Sequence, residues 1–278
     1  MHNMKKVENK SVTANNTLVT TPTHEHLKGL CRFLSEYAAK LLSSGTTTIR
    51  TEKNVVRIAE SYGALADFAV LPNEIMLTLW DGNREHSYTV NCKISETSLN
   101  FDAITRLSAL SWRISDERLP LESAWKEYEE ILKIPRLKFP LVTFLVGCAN
   151  ASFCRLFNGD WISMAIVFTA TVCGFYLKHE MVVRQGLNVQ LAVIASSCLS
   201  AIISCSGYVF GLGTTPDIAL ATSVLWLVPG IPFINAMSDL IYGHYVCCLS
   251  RFIQAIITTV SLSLGLCLAL MIMQINYV

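Results

Sequence analysis

The chain has 278 residues, 52% hydrophobic and 15% charged, where a soluble domain carries about 25% charged residues. The net charge is only +1, and 34 of the 43 Lys, Arg, Asp and Glu side chains precede residue 137. These figures exclude a single soluble globule of ordinary composition, a disordered chain and a nucleic-acid binder that works by charge; they imply a soluble part followed by a part embedded in the lipid bilayer.

Residues 1–22 are polar and rich in Thr and Asn, and read as a disordered tail. No apolar segment of a secretory signal stands there, so the soluble part, 23–134, is expected in the cytoplasm. From Glu25 the apolar residues Leu27, Leu30, Cys31, Leu34, Ala38, Leu41 and Leu42 recur at helical spacing, and Gly45 suits the end of that helix. Thr51 and Glu52 open a second helix that Gly63 ends. The period then changes to two, predicting strands at 66–71, 74–80 and 85–90, with Asp81, Gly82 and Asn83 as a hairpin turn. Two more helices follow, about 100–115 and 121–133, the second started by Pro120. The soluble part is thus an N-terminal cytoplasmic α+β domain in the order ααβββαα.

Pro135 breaks the last of these helices, and Lys133, Arg136 and Lys138 form a basic collar. The remainder, 135–278, reads as an α-helical polytopic membrane domain. Its five transmembrane helices lie at about 139–157, 161–178, 188–207, 217–241 and 252–273, each near the roughly 20 residues that cross a bilayer. Lys178, Arg184 and Arg251 flank the loops on the side of the soluble part, against Arg155 alone on the other side. The positive-inside rule therefore puts the N-terminus in the cytoplasm and, after five crossings, the C-terminus in the periplasm. The ten cysteines form no CxxC pair and have no accompanying His-x₃₋₅-His, so they read as small apolar packing residues; no metal site and no cofactor is expected.

The fourth span carries the chemistry. Pro229 cannot donate to the Leu225 carbonyl, nor Pro232 to that of Val228, and Gly230 between them permits close approach of another backbone. The span should therefore break in mid-membrane, with freed carbonyls and a half-helix N-terminus near Pro232 facing a cavity. Asn235 and Asp239, four apart, share one face of the following half-helix and are candidate groups of a substrate path. The plainer alternative is that the prolines shape helix packing and Asp239 lies at the inner interface. Arg155, Asn158 and Asp160 gather at the outer mouth, where Arg155 could meet an anionic substrate or simply snorkel beside an Asn-Gly turn. No P-loop, GxGxxG, HExxH or GxSxG occurs, so no catalytic residues are assigned and the chain is not expected to be an enzyme.

The segment 227–244, LVPGIPFINAMSDLIYGH, resembles the proline-glycine, asparagine, aspartate segment of the threonine/serine exporter family. The stretch 41–59, LLSSGTTTIRTEKNVVRIA, resembles that family's soluble signature. PRLKFP (135–140) and FCRLFNGDW (153–161) look most like its two-component branch, in which a YjjP-type bacterial inner-membrane subunit works with a small YjjB-type membrane subunit. The resemblance spans roughly 25–273. It implies a secondary exporter subunit for small organic acids, succinate first, with threonine or serine as the alternative cargo. A membrane-anchored enzyme or sensor using the soluble part is a further alternative.

Overall fold

The computed structural model describes residues 24–95 and 98–274. The tail reading for 1–22 lies outside them. The chain opens with α1 (His24–Ser43) and α2 (Thr48–Ser61). Three strands follow, β1 (Leu65–Val70), β2 (Glu74–Trp80) and β3 (Ser87–Lys93), and then α3 (Phe101–Glu117) and α4 (Leu121–Lys133). The strands form one antiparallel sheet in the order β1-β2-β3. Its register pairs Leu65 with Trp80 and Glu74 with Lys93. In β2 the alternate residues Ile75, Leu77 and Leu79 are fully buried beneath α1, while Met76 faces outward. This one-sided sheet is what a period-two pattern encodes. The core is completed by Leu30, Phe33, Leu34, Tyr37 and Leu41 of α1, Val55 and Ile58 of α2, and Leu107 and Ile114 of α3. The buried Tyr37 hydroxyl donates to the Leu107 carbonyl at 2.8 Å, so burial leaves no orphan donor there.

In the polar part, two element starts differ from the sequence reading by two residues or more. Helix α2 starts at Thr48 rather than Thr51, although its N-cap Thr47 makes no side-chain cap. The cap comes from elsewhere in the chain, as described below. Strand β3 starts at Ser87 rather than residue 85. The Asp81 carboxylate accepts from the backbone N–H groups of Glu85 (2.8 Å) and His86 (3.2 Å), which commits both residues to the turn. The left-handed residue in that turn is Arg84, not Gly82 or Asn83.

Four further helices are long and apolar enough to cross a membrane: α5 (Phe139–Leu156), α6 (Trp161–His179, prolonged by a π-helical turn to Arg184), α7 (Val189–Val209) and α10 (Tyr245–Met273). Between the last two lie α8 (Pro216–Ser223), a 3₁₀ turn (Leu225–Leu227) and α9 (Gly230–Ile241). Together these two are also long and apolar enough to cross a membrane, but the pair is bent by 58°. Helix α10 begins seven residues before the expected start at 252. Close packing rests on small residues. The Ser197 hydroxyl donates to the Leu262 carbonyl at 2.7 Å, and that of Ser200 to Ala170 at 3.0 Å. A side chain at Gly265 would collide with the Ile194 carbonyl, so α7 and α10 touch backbone to backbone. All ten cysteines are free.

Candidate functional site

The break in the fourth apolar segment sits at Val228 and Pro229. Val228 is extended (φ −62°, ψ 125°). Pro229 (φ −79°, ψ 57°) is the centre of an inverse γ-turn closed by the Gly230 N–H on the Val228 carbonyl at 2.8 Å. The Leu225 carbonyl accepts from Val228 N–H at 3.1 Å. Both carbonyls deprived by the prolines are therefore satisfied locally, rather than left open to a cavity as the sequence suggested. Outside its own helix and chain neighbours, no atom of the described residues lies within 4 Å of where a Gly230 Cβ would stand, so no other backbone approaches there. Gly230 serves to close the γ-turn and start α9, two residues before the expected Pro232. The bend is braced from α5: Asn150, buried, donates through Nδ2 to the Thr222 carbonyl (3.1 Å) and to the Thr171 hydroxyl (2.7 Å).

Asn235 and Asp239 do share one buried face of α9, and that face is docked on the loop between α1 and α2. Asn235 Nδ2 donates to the Gly45 carbonyl at 3.0 Å. Gly45 holds φ +92°, and a Cβ there would meet Leu99. Asp239 is fully buried. Its Oδ1 accepts from the Thr48 backbone N–H at 3.4 Å, and its Oδ2 lies 3.0 Å from Arg251 Nη1. Helix α2 has no acidic residue in its first turn, so Asp239 supplies both the missing cap and the missing negative charge at that positive helix end. Arg251 Nη2 donates to the Thr46 carbonyl at 3.2 Å. Below the pair, His244 Nε2 faces Glu52 Oε2 at 3.3 Å, and Cys247 Sγ contacts the Val70 carbonyl at 3.2 Å. The hydroxyls of Thr46 and Thr48, Asp239 Oδ2 and Arg251 Nη1 are buried without a well-directed hydrogen bond among the described residues.

Beside this cluster lies a cavity of about 270 Å³. Leu42, Val70, Leu71 and Leu99 give it an apolar wall, and Pro232, Asn235, Ser250, Arg251 and Gln254 line the wall formed by α9 and α10. Arg251 is the only charged group lining it among the described residues. Of the sequence-selected residues, Pro232 and Asn235 reach the cavity, Asp239 stands behind Arg251, and Pro229 and Gly230 set the bend.

Arg155, Asn158 and Asp160 sit together at the turn between α5 and α6, well apart from this cluster. Asp160 Oδ1 accepts from Ser163 N–H at 2.6 Å, capping α6, and Oδ2 accepts from Thr214 N–H at 2.5 Å. These bonds hold its carboxyl well below the usual carboxylate range. Asn158 is left-handed (φ 66°), and Arg155 donates to the Gly159 carbonyl at 3.1 Å while lying over the Trp161 ring.

Sequence reasoning used Arg251 only as an orientation charge and Glu52 only as a helix start, and selected none of Arg251, Thr48, Glu52, His244 and Asn150 for the site. The one usable signal was the turn at Gly243 (φ +83°), which folds α9 back on α10 and so allows positions 239 and 251 to meet.

One family model, described as "Putative threonine/serine exporter", matches residues 32–273, and the chain belongs to that family. A protein of Klebsiella aerogenes named "Probable succinate transporter subunit YjjP" is 28% identical over 252 residues, 87% of this chain and 93% of its own length. The Escherichia coli protein of the same name is 29% identical over 257 residues, 89% of this chain and 96% of its own. The "Threonine/serine exporter" of Corynebacterium glutamicum is 22% identical over 262 residues, 92% of this chain but 53% of its own length. No solved structure matches the chain.

Proposed function

We propose that this member of the threonine/serine exporter family is one subunit of a secondary exporter for small organic acids, succinate first, working with a small YjjB-type membrane subunit. The observation that carries the reading is the broken helix itself. Its second half presents Pro232 and Asn235 to a cavity and holds Asp239 beside Arg251, an arrangement a mere anchor has no use for. The two YjjP relatives, matched along nearly their whole length, support the cargo and the role of subunit. Both of those relatives are named as subunits, which supports a second membrane component.

In this reading α8 and α9 form one bent span, giving five crossings in the inner membrane of a bacterium, with residues 23–134 in the cytoplasm. The segment before α8 meets the α5–α6 turn through Asp160 and Thr214, whereas α9 meets the loop at 45–48, which supports a passage from one end of the helices to the other. Pro229, Gly230 and Pro232 open the helix, Asn235 hydrogen-bonds the cargo, and Asp239 couples transport to a proton or cation. Arg155, Asn158 and Asp160 frame the opposite mouth. No catalytic residue and no cofactor take part.

A threonine or serine cargo is the second reading, favoured by the family's description and the Corynebacterium relative. The test is efflux of succinate and of threonine from cells with and without this chain, each with and without the small subunit. Succinate efflux only when both are present is the expected result. Equal efflux in all four strains for both cargoes overturns the proposal.

A further inference from the structure

We propose that Arg251 is the residue that receives a carboxylate of the cargo, and that Asp239 is the resident carboxylate it must exchange for. This rests on the exporter reading above and names the group that binds within it. Three observations carry it. First, among the described residues Arg251 is the one charged group lining the cavity, whose opposite wall is aliphatic; a small molecule with a carboxylate and a short carbon chain is complementary to both. Second, the guanidinium is under-used: of its five N–H donors, one bonds the Thr46 carbonyl, and Nη1 is held to Asp239 by charge without a well-directed hydrogen bond. A guanidinium fork normally engages a carboxylate in two parallel bonds, and neither Arg251 Nη1 nor Asp239 Oδ2 makes such a bond here. Third, Asp239 has a second partner besides Arg251. When the guanidinium turns to the cargo, Oδ1 still holds the Thr48 N–H at the positive end of α2. A buried pair with a second acceptor on one partner and spare donors on the other is built to exchange.

The exchange has a mechanical consequence. Arg251 and Asp239 are also two of the groups that fasten α9 and α10 to the 45–48 loop. Drawing the guanidinium toward the cavity loosens that fastening, which links cargo binding to movement of the half-helix.

The experiment uses the full-length chain purified in detergent, with succinate, threonine and the uncharged succinamide as probes of thermal protection. Wild type should be protected by a carboxylate probe and not by succinamide; whether succinate or threonine protects better distinguishes the source of the carboxylate. Asp239→Asn removes the competing anion and should tighten binding several-fold. Arg251→Gln should weaken it by about tenfold or more. Because that single variant leaves Asp239 unpaired and puts folding at risk, the double variant Asp239→Asn with Arg251→Gln carries the decision. It should lose the protection that Asp239→Asn alone retains. Protection of the double variant equal to that of Asp239→Asn overturns the assignment, as does a wild type protected by none of the carboxylates or equally by succinamide. If cells export cargo while the double variant binds unchanged, this inference fails and the exporter reading stands; absence of efflux in the four-strain test is the failure of that reading instead.

Discussion

Asp239 Oδ1 accepts from the backbone N–H of Thr48, 191 positions earlier in the chain. A carboxylate on a half-helix of the apolar part thus caps a helix of the polar part. Together with the Asn235–Gly45 bond and the Arg251–Thr46 bond, it makes four consecutive residues, 45–48, the seat of the broken span.

Removing one member of this buried pair should be costly. Asp239→Ala leaves the Arg251 charge without its counter-ion and α2 without its cap, and is expected to destabilise the protein by about 3–5 kcal/mol. Replacing both residues, Asp239→Leu with Arg251→Met, should recover much of that loss, since no buried charge is then left alone. Thermal unfolding of the purified variants checks it; a double variant as unstable as the sum of the singles contradicts a direct pair.

Asn150 braces the bend by satisfying the Thr222 carbonyl and the Thr171 hydroxyl. Asn150→Leu is near in size but offers no donor. It should cost about 1–3 kcal/mol for the groups left unpaired, whereas Ser152→Ala, exposed on the same helix, should be close to neutral. Melting midpoints of the two variants are the measurement.

Asp160 gives a pH test. Its carboxyl is held below the ordinary value of 3.8, so it contributes stability that is present above that pH and is lost as the pH falls through its lowered value. Asp160→Ala should therefore melt below wild type near pH 7, and the gap should narrow as the pH drops below about 4. A gap that stays constant into strong acid would mean the cap works only by shape.

The orientation has a direct readout. A reporter active only outside the cytoplasm, fused after Val278, should be active, because Lys178, Arg184 and Arg251 flank one side of the apolar helices and Arg155 the other. Activity from a cytoplasmic reporter at the same position would show an even number of crossings.

Much of the fold was legible in residue order because its signals are local. Leu27 to Leu42 repeat with the helix period, Ile75, Leu77 and Leu79 alternate, and proline at 229 and 232 cannot complete a helical ladder whatever surrounds it. The sequence by itself therefore determined the polar-to-apolar division, the helical and strand segments and the place of the break, and it put Asn235 and Asp239 on one face because positions four apart on a helix share a side. Tertiary structure alone decided what that face meets. Thr48 reads as a poor helix start until a carboxylate from α9 reaches it, and Arg251 reads as a loop charge until the turn at Gly243 lays α10 against α9. Caps, ion pairs and cavity walls made between segments nearly two hundred residues apart leave no periodicity in the chain, since they depend on how the elements pack and not on how residues are spaced along any one of them.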